Sequence, residues 1–319
     1  MRVIVTTSRL HKTAWDRLKA LAEIRQTDDQ AALEELFATF DPHAILSRTL
    51  EITARAIDSA PSLRVISKHG AGTDNIDIDA ATRRGIPVFF SRGANARSVA
   101  EHAIGLAFAL ARNVARHDRG MRDGAWTRFS WPAHELAGKR IGIVGLGQSG
   151  RIVADLAHAL QMEVAFFDPW LKDDAHPDWA ARFHALGDML GEADIVTLHC
   201  PLTPETRRLM NAATFGAMKR GAWLINTARG SVVDETDLME ALRSGQLGGA
   251  GLDCFSAEPL PPGHPLLESS NVVLTAHVAG STLQSAHRVA RMAVDNILNV
   301  MNGAAIDRNA VMNPEVLKA

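Results

Sequence analysis

The chain has 319 residues, 46% of them apolar, with 34 basic and 36 acidic side chains and a formal net charge of −2. That length supports two domains with cores of ordinary size, and the charge balance gives no electrostatic case for nucleic acid or an anionic membrane as the main partner. The two cysteines, Cys200 and Cys254, each follow an apolar run and read as buried thiols of a reducing compartment rather than as a disulfide framework.

The chain starts directly on a β-branched strand, "MRVIVTT", with no secretory leader before it, and its most apolar run, "AIGLAFALA", is too short to span a bilayer. A cytoplasmic protein is the expectation. "VIVTT", "AILS", "LRVIS" and "PVFF" are the strand candidates of the first hundred residues; "IGIV", "VAFFD", "DIVTLH", "AWLIN", "AGLD" and "NVVLT" follow, and helix-length segments separate most of them. This alternation predicts an α/β fold with parallel sheets covered on both faces. It breaks once, at "SVAEHAIGLAFALARNVARHDRGMRDG". Ser98 and Glu101 have the spacing of a capping box, and the helix that follows is apolar on nearly every face from Ala103 to Ala111, so it must be buried all round, at a domain junction or against a second subunit. The irregular stretch after it carries Trp126, Phe129, Trp131 and Pro132, a composition suited to an interface. These features place a hinge near Ala96–Val99 and predict a homodimer. A last long helix, about Thr282 to Val300, returns to the first domain, which makes that domain discontinuous: residues 1–98 with 286–319 as one domain, residues 99–285 as the other.

The strand "IGIV" runs into Gly145-x-Gly147-x-x-Gly150, with Gln148 and Ser149 between the last two glycines, and a helical pattern follows. In that context the glycines have separate tasks: Gly145 permits a tight turn, Gly147 lets a pyrophosphate approach the backbone, and Gly150 lets helix and strand pack closely. Free N–H groups at the helix start then face the phosphates. Asp168 ends the next strand at the spacing at which a carboxylate accepts the ribose hydroxyls. It would repel a 2′-phosphate, so NAD is expected over NADP. Alone, Asp168 before Pro169 would read as a turn residue; after strand, glycine loop and helix it does not.

Three more strand ends carry chemistry. "WLINTARG" ends a buried strand and delivers Arg229, whose guanidinium is suited to a carboxylate. "GLDCFSAEP" delivers Glu258, and "VVLTAHVAGST" delivers His277 between a strand and a small-residue loop. Most arginines lie on surfaces and most of the 13 histidines will be structural. These two stand out by position, because open α/β sheets bind ligands beyond the carboxyl ends of their strands. A glutamate beside the histidine would favour its imidazolium form and fix its orientation.

On these residues, and on "KHGAGTDNID", "NARSVAEH", "GLGQSG" with "FFDP", "HCPLTPET", "NTARGSVVDE", "GLDCFSAEP" and "TAHVAGST" in that order, the whole chain resembles the D-isomer-specific 2-hydroxyacid dehydrogenases. The resemblance implies two parallel-sheet domains, Rossmann-like and flavodoxin-like. It implies catalytic roles for Arg229, Glu258 and His277, and substrate binding by Lys68, Gly70, Ala71, Gly72, Asn95, Arg229 and His277. To the glycine motif and Asp168 it adds His199, Pro201, Thr206, Thr227, Ala228, Arg229, Asp253, His277 and Gly280 as cofactor contacts. The reaction it implies is hydride transfer between nicotinamide and C2 of a 2-oxo or 2-hydroxy acid, with His277 as proton donor or acceptor; no metal is expected. Three departures from the family pattern are visible: Ala276 where proline commonly precedes the histidine, Phe167 where tyrosine commonly precedes the aspartate, and Gln148–Ser149 in place of Arg-Ile.

Lys68, His69, Arg92 and Arg97 flank the first glycine loop and could hold a second anion. On that ground 3-phosphoglycerate with its oxidised partner phosphohydroxypyruvate is ranked first and glyoxylate or hydroxypyruvate second. An NAD-sensing corepressor on the same fold is the non-enzymatic alternative.

Overall fold

The computed structural model describes residues 1–172 and 175–317. Asp173, Asp174, Lys318 and Ala319, which the sequence reading includes in its two domains, lie outside the described residues. The chain divides into two compact units, Met1–Asn95 with Ser281–Ala319, and Ala96–Gly280.

The first unit begins with β1 (Arg2–Val5), α1 (Lys12–Lys19), β2 (Glu23–Gln26), α2 (Gln30–Phe40), β3 (Ala44–Ser47), α3 (Ala54–Asp58), β4 (Val65–Lys68), α4 (Ile78–Arg83) and β5 (Val88–Phe89). These strands form one parallel sheet in the order β2-β1-β3-β4-β5, the flavodoxin-like arrangement. Successive side chains of a strand point to opposite faces, and the core divides accordingly. Val3, Val5, Leu46 and Val65 pack on one face with Ala14 and Leu18 of α1. Ile4, Ile45, Ile66 and Val88 pack on the other with Leu33, Phe37, Ile57 and Ala80. Each such fully buried aliphatic side chain contributes roughly 1.5–3 kcal/mol.

The second unit comprises α5 (Ala96–Ala111), α6 (Val114–Arg122), β6 (Arg140–Val144), α7 (Gln148–Ala159), β7 (Glu163–Phe167), β8 (Ala180–Phe183), α8 (Leu186–Glu192), β9 (Ile195–Leu198), α9 (Ala212–Ala217), β10 (Ala222–Asn226), α10 (Glu235–Arg243), β11 (Leu247–Leu252) and β12 (Val272–Leu274). Its seven strands are parallel and run β12-β11-β10-β9-β6-β7-β8. The order reverses between β6 and β9, which is the switch point of a doubly wound sheet. Ile141, Ile143, Phe166 and Ile225 face the layer that holds α5 and α7; Val144, Ala165, Val196 and Leu224 face the layer built around α8, α9 and α10. Gly251 sets how closely α5 lies to β11, since a Cβ there would stand 2.9 Å from Cβ of Leu106. The chain then returns to the first unit as α11 (Leu283–Asn302), whose Ala290, Ala293, Val294 and Ile297 complete the core of β1, β3 and β4.

One expectation for α5 needs correction. It begins at Ala96, so Ser98 lies inside the first turn and is no N-cap; Glu101 pairs instead with Arg97 at 2.6 Å. Within its own unit the helix is covered on one side, so the all-round burial expected of it would have to come from outside that unit. Ala103, Ala107 and Ala111 are buried, but Gly105 is exposed and Phe108 is 39% exposed, because the sheet and α7 cover only one side.

α11 starts with a reciprocal capping box: Thr282 Oγ1 accepts from the Ser285 amide and Ser285 Oγ accepts from the Thr282 amide, both at 3.1 Å. Thr282→Ala should therefore lower unfolding stability by about 1 kcal/mol, read as a shift of the urea midpoint at unchanged slope.

Candidate active site

The sequence-derived site residues of the second unit gather at one end of its sheet. The glycine loop follows β6, Asp168 follows β7, His199 and Pro201 follow β9, Thr227–Arg229 follow β10, Asp253 and Glu258 follow β11, and His277 and Gly280 follow β12. Because every strand is parallel, all of these positions lie at carboxyl ends.

The glycine loop has the geometry that its spacing predicts. Gly145 sits at φ 94°, a left-handed conformation that favours glycine, and a Cβ there would stand 3.0 Å from the His199–Cys200 backbone. A Cβ on Gly150 would lie 2.1 Å from the Gly145 carbonyl oxygen. At Gly147 a Cβ would meet nothing within 4 Å, so that position faces open space at the amino end of α7, which begins with Gln148 and Ser149. That is the cradle a pyrophosphate needs. The Asp168 carboxylate accepts from the Leu146 amide at 2.9 Å and from the Trp170 amide at 3.0 Å. It thus ties β7 to the glycine loop and also closes its own turn. Thr206 is buried, its hydroxyl donating to the Pro201 carbonyl at 2.7 Å. Thr227 Oγ1 is a buried polar atom without a hydrogen-bond partner among the described residues. Buried polar groups are ordinarily satisfied, so this hydroxyl at a strand end fits a ligand contact.

His199 is half-buried as a residue, with its ring nitrogen Nδ1 out of contact with solvent. Burial pushes its pKa down to about 4 from the ordinary 6.5, and Nε2 lies 2.9 Å from Thr197 Oγ1.

Arg229 follows β10 in a loop pinned by Asn226, whose Oδ1 accepts from the Ala228 amide at 3.0 Å and whose Nδ2 donates to the Arg229 carbonyl at 2.9 Å. A Cβ on the next residue, Gly230, would lie 1.9 Å from the Phe255 carbonyl carbon. This loop and the β11 loop are therefore in backbone contact. Glu235 reinforces the join: its two carboxylate oxygens accept from the Ser256 amide and hydroxyl, both at 2.6 Å.

Glu258 and His277 meet. His277 Nδ1 lies 2.6 Å from Glu258 Oε2, and Glu258 Oε1 accepts from the Phe255 amide at 2.9 Å. A carboxylate only accepts, so Nδ1 carries the hydrogen and Nε2 is left for other chemistry. The Glu258–Pro259 peptide is cis. His277 itself sits at φ 52°, a conformation that costs a non-glycine residue on the order of 1–3 kcal/mol.

Asp253 offsets that strain. It is fully buried, and its Oδ1 accepts from Thr275 Oγ1 at 2.6 Å and from the Val278 amide at 2.9 Å, while Oδ2 accepts from the Ala279 amide at 2.8 Å. Its carbonyl accepts from the His277 amide at 2.8 Å. With Thr275 donating to Asp253, His102 Nε2, 2.9 Å from the Thr275 hydroxyl, is the donor to it. Asp253 is among the expected cofactor contacts, whereas Asn226, Thr275 and His102 are not among the expected site residues. Asn226 and Thr275 had one visible signal, a polar residue closing a buried strand.

In the first unit, Gly70–Gly72 follow β4, with Gly70 at φ 154°, and Asn95 is its last residue before α5. Lys68 is only 8% exposed, and its ammonium donates to the Arg48 carbonyl and to Asn75 Oδ1. Two of its three donors are thus used inside the unit. His69 is buried as well; desolvation and then the Arg48 charge push its pKa down to about 4.

Residues 104–279 match the family model described as D-isomer specific 2-hydroxyacid dehydrogenase, NAD binding domain. The chain belongs to that family, and its second unit is the NAD-binding domain. It is 39% identical over 266 residues to a D-3-phosphoglycerate dehydrogenase of Archaeoglobus fulgidus, covering 83% of this chain and 50% of that protein. It therefore spans about half the length of that relative. It is 40% identical over 277 residues to a glyoxylate reductase of Thermofilum pendens, covering 85% and 80% of the two chains. A solved structure from Thermus thermophilus superposes with a TM-score of 0.87 at 38% identity, covering 95% of this chain and 98% of that one.

The desolvated His199 ring makes a pH prediction. Its folded pKa, about 4, lies below the unfolded value near 6.5, so the unfolded chain binds the proton more readily. The stability present above pH 6.5 is lost as pH falls from 6.5 towards 4, by an amount on the order of 3 kcal/mol. His199→Gln should flatten the stability curve through that window in urea titrations at several pH values; an unchanged slope would count against the neutral, desolvated His199.

Proposed function

We propose that the protein is an NAD-dependent D-2-hydroxyacid dehydrogenase in which Arg229, Glu258 and His277 carry the chemistry. The observation that supports this most directly is the 2.6 Å contact between His277 Nδ1 and Glu258, at the same sheet end as the glycine loop and Arg229. NADH, when bound, supplies the hydride. His277 delivers a proton from Nε2 to the carbonyl oxygen of a 2-oxo acid and takes it back in the reverse direction. Glu258 holds the ring so that Nδ1 keeps its hydrogen, and it balances the imidazolium charge. Arg229 pairs with the substrate carboxylate and polarises the carbonyl. The Gly70–Ala71–Gly72 loop and Asn95 bind the substrate carboxylate through backbone and amide donors. Gln148, Ser149, Asp168, Pro201, Thr206, Thr227, Ala228 and Gly280 contact the cofactor.

Relatives named for phosphoglycerate and for glyoxylate both support a small 2-oxo acid. The ranking that rested on Lys68 changes with its internal hydrogen bonds, which leave it poorly placed to bind a phosphate. Glyoxylate or hydroxypyruvate now stands first, with phosphohydroxypyruvate second. Turnover of these three acids with NADH tests both the class and the ranking: no turnover of any would remove the enzymatic reading in favour of NAD sensing, and preferential turnover of phosphohydroxypyruvate would restore the earlier order.

We also read the protein as a cytoplasmic homodimer. Phe108, Val114, Met121, Trp126 and Phe129 leave large apolar surface exposed within one segment of the chain, as an interface requires. Both cysteines are free thiols, and among the described residues no helix is long and apolar enough to cross a membrane.

His277→Ala should reduce kcat by roughly 10²–10⁴-fold, the range for loss of a general acid, while the Kd for NADH, read by fluorescence, stays within a few-fold. Near-full activity would remove His277 from its role. Asp168→Ala should raise KM for NADH and erase most of the preference over NADPH; an unsubstituted enzyme that used both cofactors equally would overturn the ribose assignment.

A further inference from the structure

Cys254 plays no part in the chemistry above, yet it lies next to the groups that do. Its sulfur, a carboxylate oxygen of Glu258 and a ring nitrogen of His277 all lie within 4.8 Å of one another. The thiol is fixed, being 3% exposed and held by a 3.5 Å contact from Sγ to the Ala228 carbonyl. The other two groups are open to solvent, Glu258 at 35% and His277 at 48% side-chain exposure. Thiolate, imidazole and carboxylate are the three donor types that tetrahedral zinc accepts, at about 2.3 Å for sulfur and about 2.0–2.2 Å for nitrogen and oxygen. Such a site spaces its ligand atoms roughly 3.3–3.6 Å apart. Reaching that spacing from within 4.8 Å requires the two solvent-facing side chains to rotate towards the fixed sulfur.

We propose that Cys254, Glu258 and His277 form an inhibitory site for a thiophilic divalent cation such as Zn²⁺. The fourth position is open to water. Binding forms a Zn–S bond as the S–H bond breaks, and the thiol proton leaves to solvent; His277 ligates as the neutral ring, its one hydrogen passing from Nδ1 to Nε2 where Nδ1 is the ligand atom, and nothing is oxidised or reduced. The cation occupies the carboxylate and imidazole together and so withdraws the acid–base pair from turnover. Without metal the fold keeps the thiol protonated: burial, then the negative charges of Asp253 and Glu258, push its pKa up to about 12. A bound divalent cation reverses that balance, because coordination deprotonates a thiol outright. The same sulfur is therefore inert in the metal-free enzyme and a ligand in the inhibited one.

The inhibitory effect rests on the dehydrogenase reading, but the site itself does not, so the test has two arms. In the first, Co²⁺ is titrated into the full-length protein and its variants. The unsubstituted protein should develop the near-ultraviolet thiolate-to-cobalt charge-transfer band, and Cys254→Val and Cys254→Ser should not. In the second, Zn²⁺ should inhibit turnover reversibly, with activity restored by EDTA. Loss of a mere hydrogen-bond partner of a metal ligand costs about 10–100-fold in affinity, so loss of the sulfur should raise the inhibitory zinc concentration by at least roughly tenfold, with zinc-free activity retained. Absence of the cobalt band in the unsubstituted protein, or equal zinc sensitivity in it and in both variants, would overturn the proposal. If the protein turned over no 2-oxo acid, the cobalt arm would still decide whether the site exists.

Discussion

The buried carboxylate of Asp253 is the constraint on which the site depends. A charged group taken out of water is tolerated only when its acceptor positions are filled, and here the fillers are the Thr275 hydroxyl and the Val278 and Ala279 amides. Hydrogen bonds to a charged group are worth about 1.5–3 kcal/mol each. That is enough to hold the peptide around His277 in a left-handed conformation that its side chain disfavours. In sequence, β11 and the histidine loop are separated by more than twenty residues. One carboxylate fastens the end of the first to the whole of the second.

The neighbouring loops are fixed by different means. Arg229 owes its place to a glycine: Gly230 lies against the Phe255 carbonyl so closely that no side chain fits between them. Asn226 then closes the turn from inside. Glu258 is oriented by the Phe255 amide at one oxygen, which leaves the other for His277. Arg229 and His277 are thus held through backbone contacts to a neighbouring strand end, and Glu258 by the backbone of its own loop. This is the kind of support that keeps a catalytic geometry within tolerance.

The interior strands were legible because they are buried on both faces and read as continuous apolar runs. β2 and β8 were missed for the complementary reason. Each is the edge of its sheet, and "EIRQ" and "AARF" expose two or more of their four residues at least partly, so neither carries the apolar run that marks an interior strand. The start of α5 was misplaced because a Ser-x-x-Glu spacing can arise inside a helix, where Glu101 is better served by Arg97 one turn back. Lys68 read as a surface cation near the substrate, since nothing in the sequence indicates that Arg48 and Asn75 would supply acceptors for its ammonium.

By itself the sequence determined the two parallel sheets and the glycine loop with its aspartate, and it singled out Arg229, Glu258 and His277 as strand-end residues suited to chemistry. Those features are local: a strand's burial pattern, a turn that only glycine can make, a reactive side chain just past a strand. Only the tertiary structure decided which groups are partners. It brought Glu258 and His277, expected as neighbours, to 2.6 Å, gave Asp253 a loop-anchoring role in addition to the cofactor contact expected of it, engaged the Lys68 ammonium inside its own unit, and brought the Cys254 sulfur near Glu258 and His277. The physical reason is that a hydrogen bond or a coordination site depends on distances of a few ångströms between strand ends. Those distances are set by the order and spacing of strands in the sheet, which no stretch of the chain specifies alone.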